Sequence, residues 1–160
     1  MTAQTISARE EGELLLQSRF RAADLARVRV QVDLHTSVTD LTEQRRAQFV
    51  LAAHEVMCNA VRHGGGEGTL RLYRGADGVW CQVTDEGPGL SEDMIPLVLP
   101  PLDASNGRGL WLVRELTDRM DIARRAAGAG VTFAMCFDAA ERDASTAGTA
   151  AGRARPVPGV

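Results

Sequence analysis

Residues 52–64, AAHEVMCNAVRHG, decide the fold. In a helix, Glu55 and Asn59 lie one turn apart and share a face, and Arg62 continues that face toward the C-terminal end. Apolar side chains occupy the other faces, so the pattern predicts a mostly buried helix that presents a carboxylate and a carboxamide to a cavity. A glutamate can take a proton from a nucleophile, and an asparagine oxygen suits a hard cation such as magnesium.

The composition bounds the kind of protein. A length of 160 residues with 44% hydrophobic residues fits one domain with a real core. The net charge of -3 means that the chain has no excess of the positive charge that binds nucleic acid, so we expect no direct binding of nucleic acid. All 18 basic residues are arginine, which excludes the GK[ST] phosphate loop and every mechanism that depends on lysine.

The apolar runs of the sequence are short, and this bears on where the protein is located. The first 13 residues lack the apolar segment of a secretory signal, and no run is long enough to cross a bilayer. We therefore expect a cytoplasmic protein without a membrane segment.

Cys58, Cys81 and Cys136 form no CxxC pair, so they are interpreted as buried thiols without a disulfide.

Hydrophobic periodicity predicts the order of the elements. Residues 13–20 favour a strand, with the start of a helix as the alternative. Three glycines at 64–66 end the central helix, and an Asp-Gly pair at 77–78 predicts a hairpin turn. The remaining predictions are helices at 22–35, 43–63 and 107 to about 119, strands at 68–74, 79–84, 121–125 and 131–137, and a loop at 91–106.

The domain boundaries follow from the same pattern. We expect a flexible N-terminus at residues 1–12 and a folded domain at 13–138. Residues 139–160 are rich in Ala, Gly, Arg, Pro and Thr and contain no aromatic residue, which is typical of a disordered tail.

Two glycine-containing motifs suggest a ligand site. In DEGPG, Asp85 ends a strand and Gly87 and Gly89 leave the nearby backbone open to a flat ligand, so the carboxylate suits the amine of adenine. A plain Asp-capped turn is the alternative. In NGRGLWLV, Gly107 and Gly109 stand at the start of a helix, where backbone N–H groups favour an anion such as phosphate. Glycines that only cap or pack the helix are the alternative there.

The three motifs together carry a family resemblance. Glu55-x3-Asn59, DxGxG at Asp85 and GxG-Leu at Gly107, in this order, resemble the ATP-binding domain of the GHKL (Bergerat-fold) ATPases over about residues 13 to 138. The resemblance implies an α+β fold, a two-layer sandwich whose mixed, mostly antiparallel sheet is covered on one face by helices. Within that superfamily, NAVRHG and the short interval before GRGLWLV resemble the bacterial anti-sigma-factor serine/threonine-protein kinases.

The resemblance also implies roles for individual residues. Glu55 would be the catalytic base, and Asn59 would ligate magnesium. Arg62 or Arg108 would offset the negative charge that develops during phosphoryl transfer. The expected nucleotide-binding set is Asn59, Arg62, Asp85, Gly87, Gly89, Gly107, Arg108, Gly109, Leu110 and Thr132, with ATP and Mg²⁺ as ligands.

Three functions remain open at this point. The first is an ATP-dependent serine/threonine-protein kinase and anti-sigma factor, a homodimer that binds a sigma factor and phosphorylates a STAS-domain anti-anti-sigma factor. The second is a nucleotide-gated binding module that switches partners without catalysis. The third is an accessory domain that no longer binds nucleotide, and the presence of all three motifs argues against it.

Overall fold

Alternating apolar residues build a five-stranded sheet with the strand order β1-β2-β3-β5-β4. The structure, a computed structural model, describes residues 12–87, 108–124 and 128–137. The strands are β1 (Glu13–Arg21), β2 (Glu67–Arg74), β3 (Gly78–Thr84), β4 (Arg119–Arg124) and β5 (Ala129–Cys136). Each of the four pairings between these strands is antiparallel. The predictions for the tail at 139–160, the loop at 91–106 and the first 11 residues lie outside the described residues.

Three helices accompany the sheet. They are α1 (Leu25–Ser37), which follows a 3-10 turn at Ala22–Asp24, α2 (Glu43–His63) and α3 (Arg108–Leu116). The bounds of α2 agree with the prediction, because both of its ends carry strong signals. Thr42 Oγ1 accepts a hydrogen bond from the Arg45 N–H at 3.3 Å, and Gly65 and Gly66 follow the helix with φ of +87° each. No helix in the described parts of the chain is both long and apolar enough to cross a membrane.

The core lies between the helices and one face of the sheet. Its largest fully buried side chains come from both layers, and the rings of Phe49 on α2 and Phe133 on β5 have centroids 5.0 Å apart. From the sheet it takes the alternate residues Leu70, Leu72, Val79, Cys81 and Val83. This arrangement confirms the predicted two-layer α+β fold with helices on one face of the sheet.

The other face of the sheet carries the remaining set of alternate residues. The strand pattern assigned Trp80 to this face, yet only 8% of Trp80 is exposed. Its ring stacks on Tyr73 with centroids 5.8 Å apart, and Gly12 and Gly75 leave room for it, since a Cβ on either would approach the ring within 2.7 Å. Aromatic packing therefore buries a position outside the core.

The boundary between α3 and β4 corrects one prediction. The spacing of Val113, Leu116 and Met120 extended the helix to about residue 119, but α3 ends at Leu116 and Met120 lies on β4 opposite Phe133. The helical hydrogen bonds stop after Thr117, whose N–H still donates to the Val113 carbonyl at 3.1 Å, because the next N–H, of Asp118, donates to the Ala134 carbonyl of β5 at 3.0 Å. An apolar residue at helical spacing can equally face the core from a strand.

The cysteines are less uniform than predicted. All three are free thiols, but only Cys81 is buried in the core, while Cys58 and Cys136 are half-buried. Burial raises the pKa of the Cys81 thiol far above its usual range.

An ion pair joins the first turn of α2 to Asp118, the residue that directly precedes β4. The Asp118 carboxylate binds the Arg45 guanidinium and also accepts a hydrogen bond from the Cys136 N–H at 2.7 Å. Only 18% of the Arg45 side chain and 30% of the Asp118 side chain are exposed. Removing the carboxylate would leave a charge and a backbone donor without this acceptor.

We therefore expect Asp118→Ala to lower the free energy of unfolding by about 1–3 kcal/mol, measured by urea denaturation. Glu67→Ala is the matched control, because Glu67 pairs with Arg19 and Arg21, whose side chains are 81% and 76% exposed. Glu67→Ala should lower the free energy of unfolding by less than about 1 kcal/mol. Equal losses in the two variants would contradict the structural role of Asp118.

Candidate functional site

The polar face of α2 meets the start of α3. Glu55 and Asn59 are both half-buried on this face. A Cβ on Gly109 would lie 2.7 Å from Glu55 Oε2 and 3.5 Å from Asn59 Nδ2. The glycine therefore allows the first turn of α3 to approach both side chains, and the motif on α2 and the motif at the start of α3 lie together.

The side chain of Asn59 is incompletely bonded. Its Nδ2 atom is buried and makes no hydrogen bond within the described residues. A buried amide without a partner costs free energy, so such a group in a native fold calls for an explanation. A bound polar ligand at the junction of α2 and α3 would supply the missing contact.

The first turn of α3 can supply further donors. The N–H groups of Gly109 and Leu110 have no acceptor within the helix, because they belong to its first turn. Leu110 is 3% exposed, so its side chain packs inward and only its backbone can serve a ligand. Arg108 is half-buried at the helix start. Gly107 lies outside the described residues.

Asp85 follows β3 and is held by backbone groups. Its Oδ1 accepts hydrogen bonds from the N–H of Gly87 at 2.9 Å and of Ala129 at 3.4 Å. Its own N–H donates to the Ala129 carbonyl at 3.0 Å. The turn after β3 and the start of β5 thus fix the carboxylate together. Gly89, the second glycine of the motif, lies outside the described residues.

Three glycines crowd around Asp85. A Cβ on Gly87 would lie 2.3 Å from Gly64 Cα, and one on Gly64 would lie 2.4 Å from Asp85 Cγ. Gly128 has a φ of +91°, and a Cβ there would lie 1.8 Å from the Asp85 carbonyl oxygen. The DxGxG pattern indicates Gly87, but nothing in it indicates the contacts of Gly64 and Gly128. Gly64 was interpreted only as part of a helix end, and a GAG triplet before a strand was the one signal for Gly128.

The structure does not bring Thr132 to Asp85, which corrects the prediction that this threonine helps to hold adenine. Thr132 pairs with Gln82 on β3 and with Asp121 on β4. Because side chains alternate along a strand, Thr132 faces away from the helices, while its neighbour Val131 belongs to the core on the helix side. The exposed Arg62 lies near the C-terminal end of α2, and no described contact ties it to the other predicted residues.

Cys58 and His54 stand beside the polar face of α2. Cys58 Sγ lies 3.5 Å from His54 Nε2, and the other ring nitrogen of His54 is buried without a partner among the described residues. Burial and, to a lesser degree, the Glu55 carboxylate raise the pKa of the Cys58 thiol, while Arg62 lowers it. The thiol therefore reports the charges of two predicted site residues.

We expect iodoacetamide to alkylate Cys58 more slowly than free cysteine near pH 8, because a raised pKa leaves less of the reactive thiolate. Glu55→Gln should quicken the reaction, since it removes a charge that raises the pKa, and Arg62→Gln should slow it. Mass spectrometry of the Cys58 peptide at several pH values measures the rates. Slower alkylation in Glu55→Gln, or faster alkylation in Arg62→Gln, would contradict this electrostatic arrangement.

The site can be compared with known proteins. Among solved structures, the mycobacterial sensor histidine kinase MprB is similar, with 18% identity, a TM-score of 0.48, and coverage of 76% of this chain and 97% of that chain. The nucleotide-free catalytic domain of histidine kinase ThkA has 16% identity and a TM-score of 0.47, with coverage of 76% of this chain and 97% of that chain. No curated protein matches the sequence.

A family model matches most of the chain. The model describes the histidine kinase-like ATPase domain, and it matches residues 19–135, which include α2, the Asp85 turn and α3. By this match the protein belongs to the family of histidine kinase-like ATPase domains.

Proposed function

We propose that this chain is an ATP-dependent serine/threonine-protein kinase that also acts as an anti-sigma factor in the cytoplasm. The observation that carries the proposal is that one helix serves two sites. The middle of α2 offers Glu55 and Asn59 to the start of α3, and its C-terminal end abuts Asp85. A nucleotide lying along α2 could place its base at Asp85 and its phosphates at α3.

The residues present fit magnesium only in part, and the substrate must supply the rest. Asn59 would bind the cation through its amide oxygen, while its buried amide nitrogen, which lacks a partner among the described residues, would donate to a phosphate oxygen. The described residues contain no group of three or more His, Cys, Asp or Glu that could hold a metal ion. Phosphate oxygens and water would therefore complete the coordination around Asn59. Magnesium, when bound, would neutralise phosphate charge.

Glu55 and the start of α3 would divide the chemistry between them. Glu55 would take the proton from a serine or threonine hydroxyl as that oxygen bonds to the γ-phosphorus of ATP, and ADP would leave. Backbone N–H groups of Gly109 and Leu110 would bind phosphate oxygens. Arg108 would offset developing negative charge, with Arg62 as the second candidate. Phosphoryl transfer needs mainly positioning and charge neutralisation, which these groups can supply.

The proposed partners rest on the resemblance of NAVRHG and GRGLWLV to the anti-sigma-factor kinases. The substrate would be a STAS-domain anti-anti-sigma factor, and the unphosphorylated substrate would displace a sigma factor from this protein. We propose that the working form is a homodimer.

Asn59→Ala should remove most of the magnesium-dependent stabilisation by ATP. In the wild type, ATP at about 100 times its Kd should stabilise the fold by about 2.7 kcal/mol, visible as a rise in Tm. The measurement is thermal unfolding with ATP in magnesium and in EDTA. Gln44→Ala, at an exposed position in the first turn of α2, is the control and should keep the wild-type shift. If Asn59→Ala keeps the full magnesium-dependent rise in Tm, Asn59 is not a magnesium ligand.

Glu55→Gln should slow transfer of label from γ-labelled ATP to the STAS-domain protein encoded nearest to this gene by about 10²-fold or more, because the base is lost. ATP binding should persist, as judged by the same thermal shift. Glu115→Gln, an exposed carboxylate on α3, should transfer label at the wild-type rate. If the wild type binds ATP but labels no partner, the nucleotide-gated binding module replaces the kinase.

A further inference from the structure

The φ of Gly64 does not by itself require glycine. This residue caps α2 with φ of -105° and ψ of 25°, a conformation open to other residues, unlike the positive φ of Gly65 and Gly66. What a side chain would meet there is the Asp85 carboxylate, since a Cβ would lie 2.4 Å from Cγ and 2.6 Å from Oδ2. It would also lie 2.6 Å from the carbonyl oxygen of Ala60. The absence of a side chain thus sets how closely Asp85 approaches the helix.

The two oxygens of Asp85 have different surroundings. Oδ1 is engaged by the N–H groups of Gly87 and Ala129. Oδ2, on the side of Gly64, accepts no hydrogen bond from the described residues. The carboxylate therefore has one committed oxygen and one available oxygen. Its orientation is fixed on one side by the two donors and on the other by the Cα of Gly64.

An available carboxylate oxygen discriminates between ligands. It accepts hydrogen bonds, so it favours a 6-aminopurine, whose exocyclic group donates. A 6-oxopurine presents an acceptor at the same place, and two facing acceptors repel. Discrimination of this kind depends on position, because a misplacement of about 1 Å weakens a hydrogen bond and lets the ligand shift.

We propose that Gly64 is the positioning residue that makes this site selective for 6-aminopurine over 6-oxopurine nucleotides, an inference that rests on the proposed function. A methyl group at residue 64 would need about 1 Å more room to reach an ordinary van der Waals separation from Oδ2. Asp85 would have to turn away from Gly64, which would shift its oxygens relative to the donors on Gly87 and Ala129. The available oxygen would then no longer face the base.

The first test compares the affinities of Gly64→Ala for ATP and GTP, measured by calorimetry on the full chain. The wild type should prefer ATP, and the variant should lose at least about tenfold of that preference. Gly78→Ala is the matched control, because a Cβ there would lie 2.4 Å from the Met135 carbonyl oxygen at the opposite end of β3. It should lower the Tm and keep the wild-type ratio of affinities.

A second test needs no nucleotide. In a double-mutant cycle, Gly64→Ala should lower the Tm less in an Asp85→Ala background than in the wild type, because Cγ and Oδ2 are gone. The new methyl group at residue 64 also approaches the Ala60 carbonyl oxygen, but it does so in both backgrounds, so this effect cancels when the two losses of Tm are compared. Additive losses of Tm would overturn the contact between Gly64 and Asp85.

The outcomes separate this inference from the proposed function. If the wild type prefers ATP and Gly64→Ala keeps that preference, the role of Gly64 is wrong and nucleotide binding stands. If the wild type binds neither nucleotide, the proposed function fails and the selectivity with it, while the cycle still decides whether residue 64 positions Asp85. Loss of preference together with non-additive Tm losses supports the inference.

Discussion

The close approach between the end of α2 and the turn after β3 is the constraint on which the site depends. Gly64 and Gly87 bring the two backbones together with no side chain between them, and the Asp85 carboxylate fills the space that remains. Gly128, the residue before β5, lies against the carbonyl oxygen of the same aspartate. A helix end and two strand ends therefore meet around one carboxylate, whose Oδ1 is held by two backbone donors.

The opposite end of α2 is fastened as well. Arg45 in its first turn pairs with Asp118, which also holds the backbone of β5 at Cys136. The helix thus contacts the sheet at both ends, and Phe49 packs on Phe133 between them. Because the ends cannot slide, Glu55 and Asn59 keep a set position against α3. Stability elements at the ends of the helix therefore serve the polar groups in its middle.

The sequence predicted what depends on local periodicity and on short motifs. The bounds of α2 followed from Thr42 and the glycine run, and the alternation of Leu70 and Leu72 identified the core face of β2. Contacts across the sheet were harder. Thr132 was assigned to the adenine site by resemblance, yet strand register turns it to the other face. Met120 matched a helical period that stops after Thr117, where the Asp118 N–H joins β5. Neither strand register nor the residue at which a helix gives way to a strand can be read from hydrophobic spacing alone.

Gly64 shows a further limit of sequence reasoning. In a run of three glycines all members look alike, and a helix end accounts for each of them. Only Gly65 and Gly66 have the positive φ that this explanation requires. Gly64 has a negative φ, so its glycine reflects what a Cβ would meet, which is the Asp85 carboxylate as well as the Ala60 carbonyl oxygen of its own helix. The Asn59 amide nitrogen is buried without a partner among the described residues, whereas Asp85 is half-buried and has two backbone donors on Oδ1. A buried donor left without an acceptor in a native fold is explained by a ligand that accepts from it.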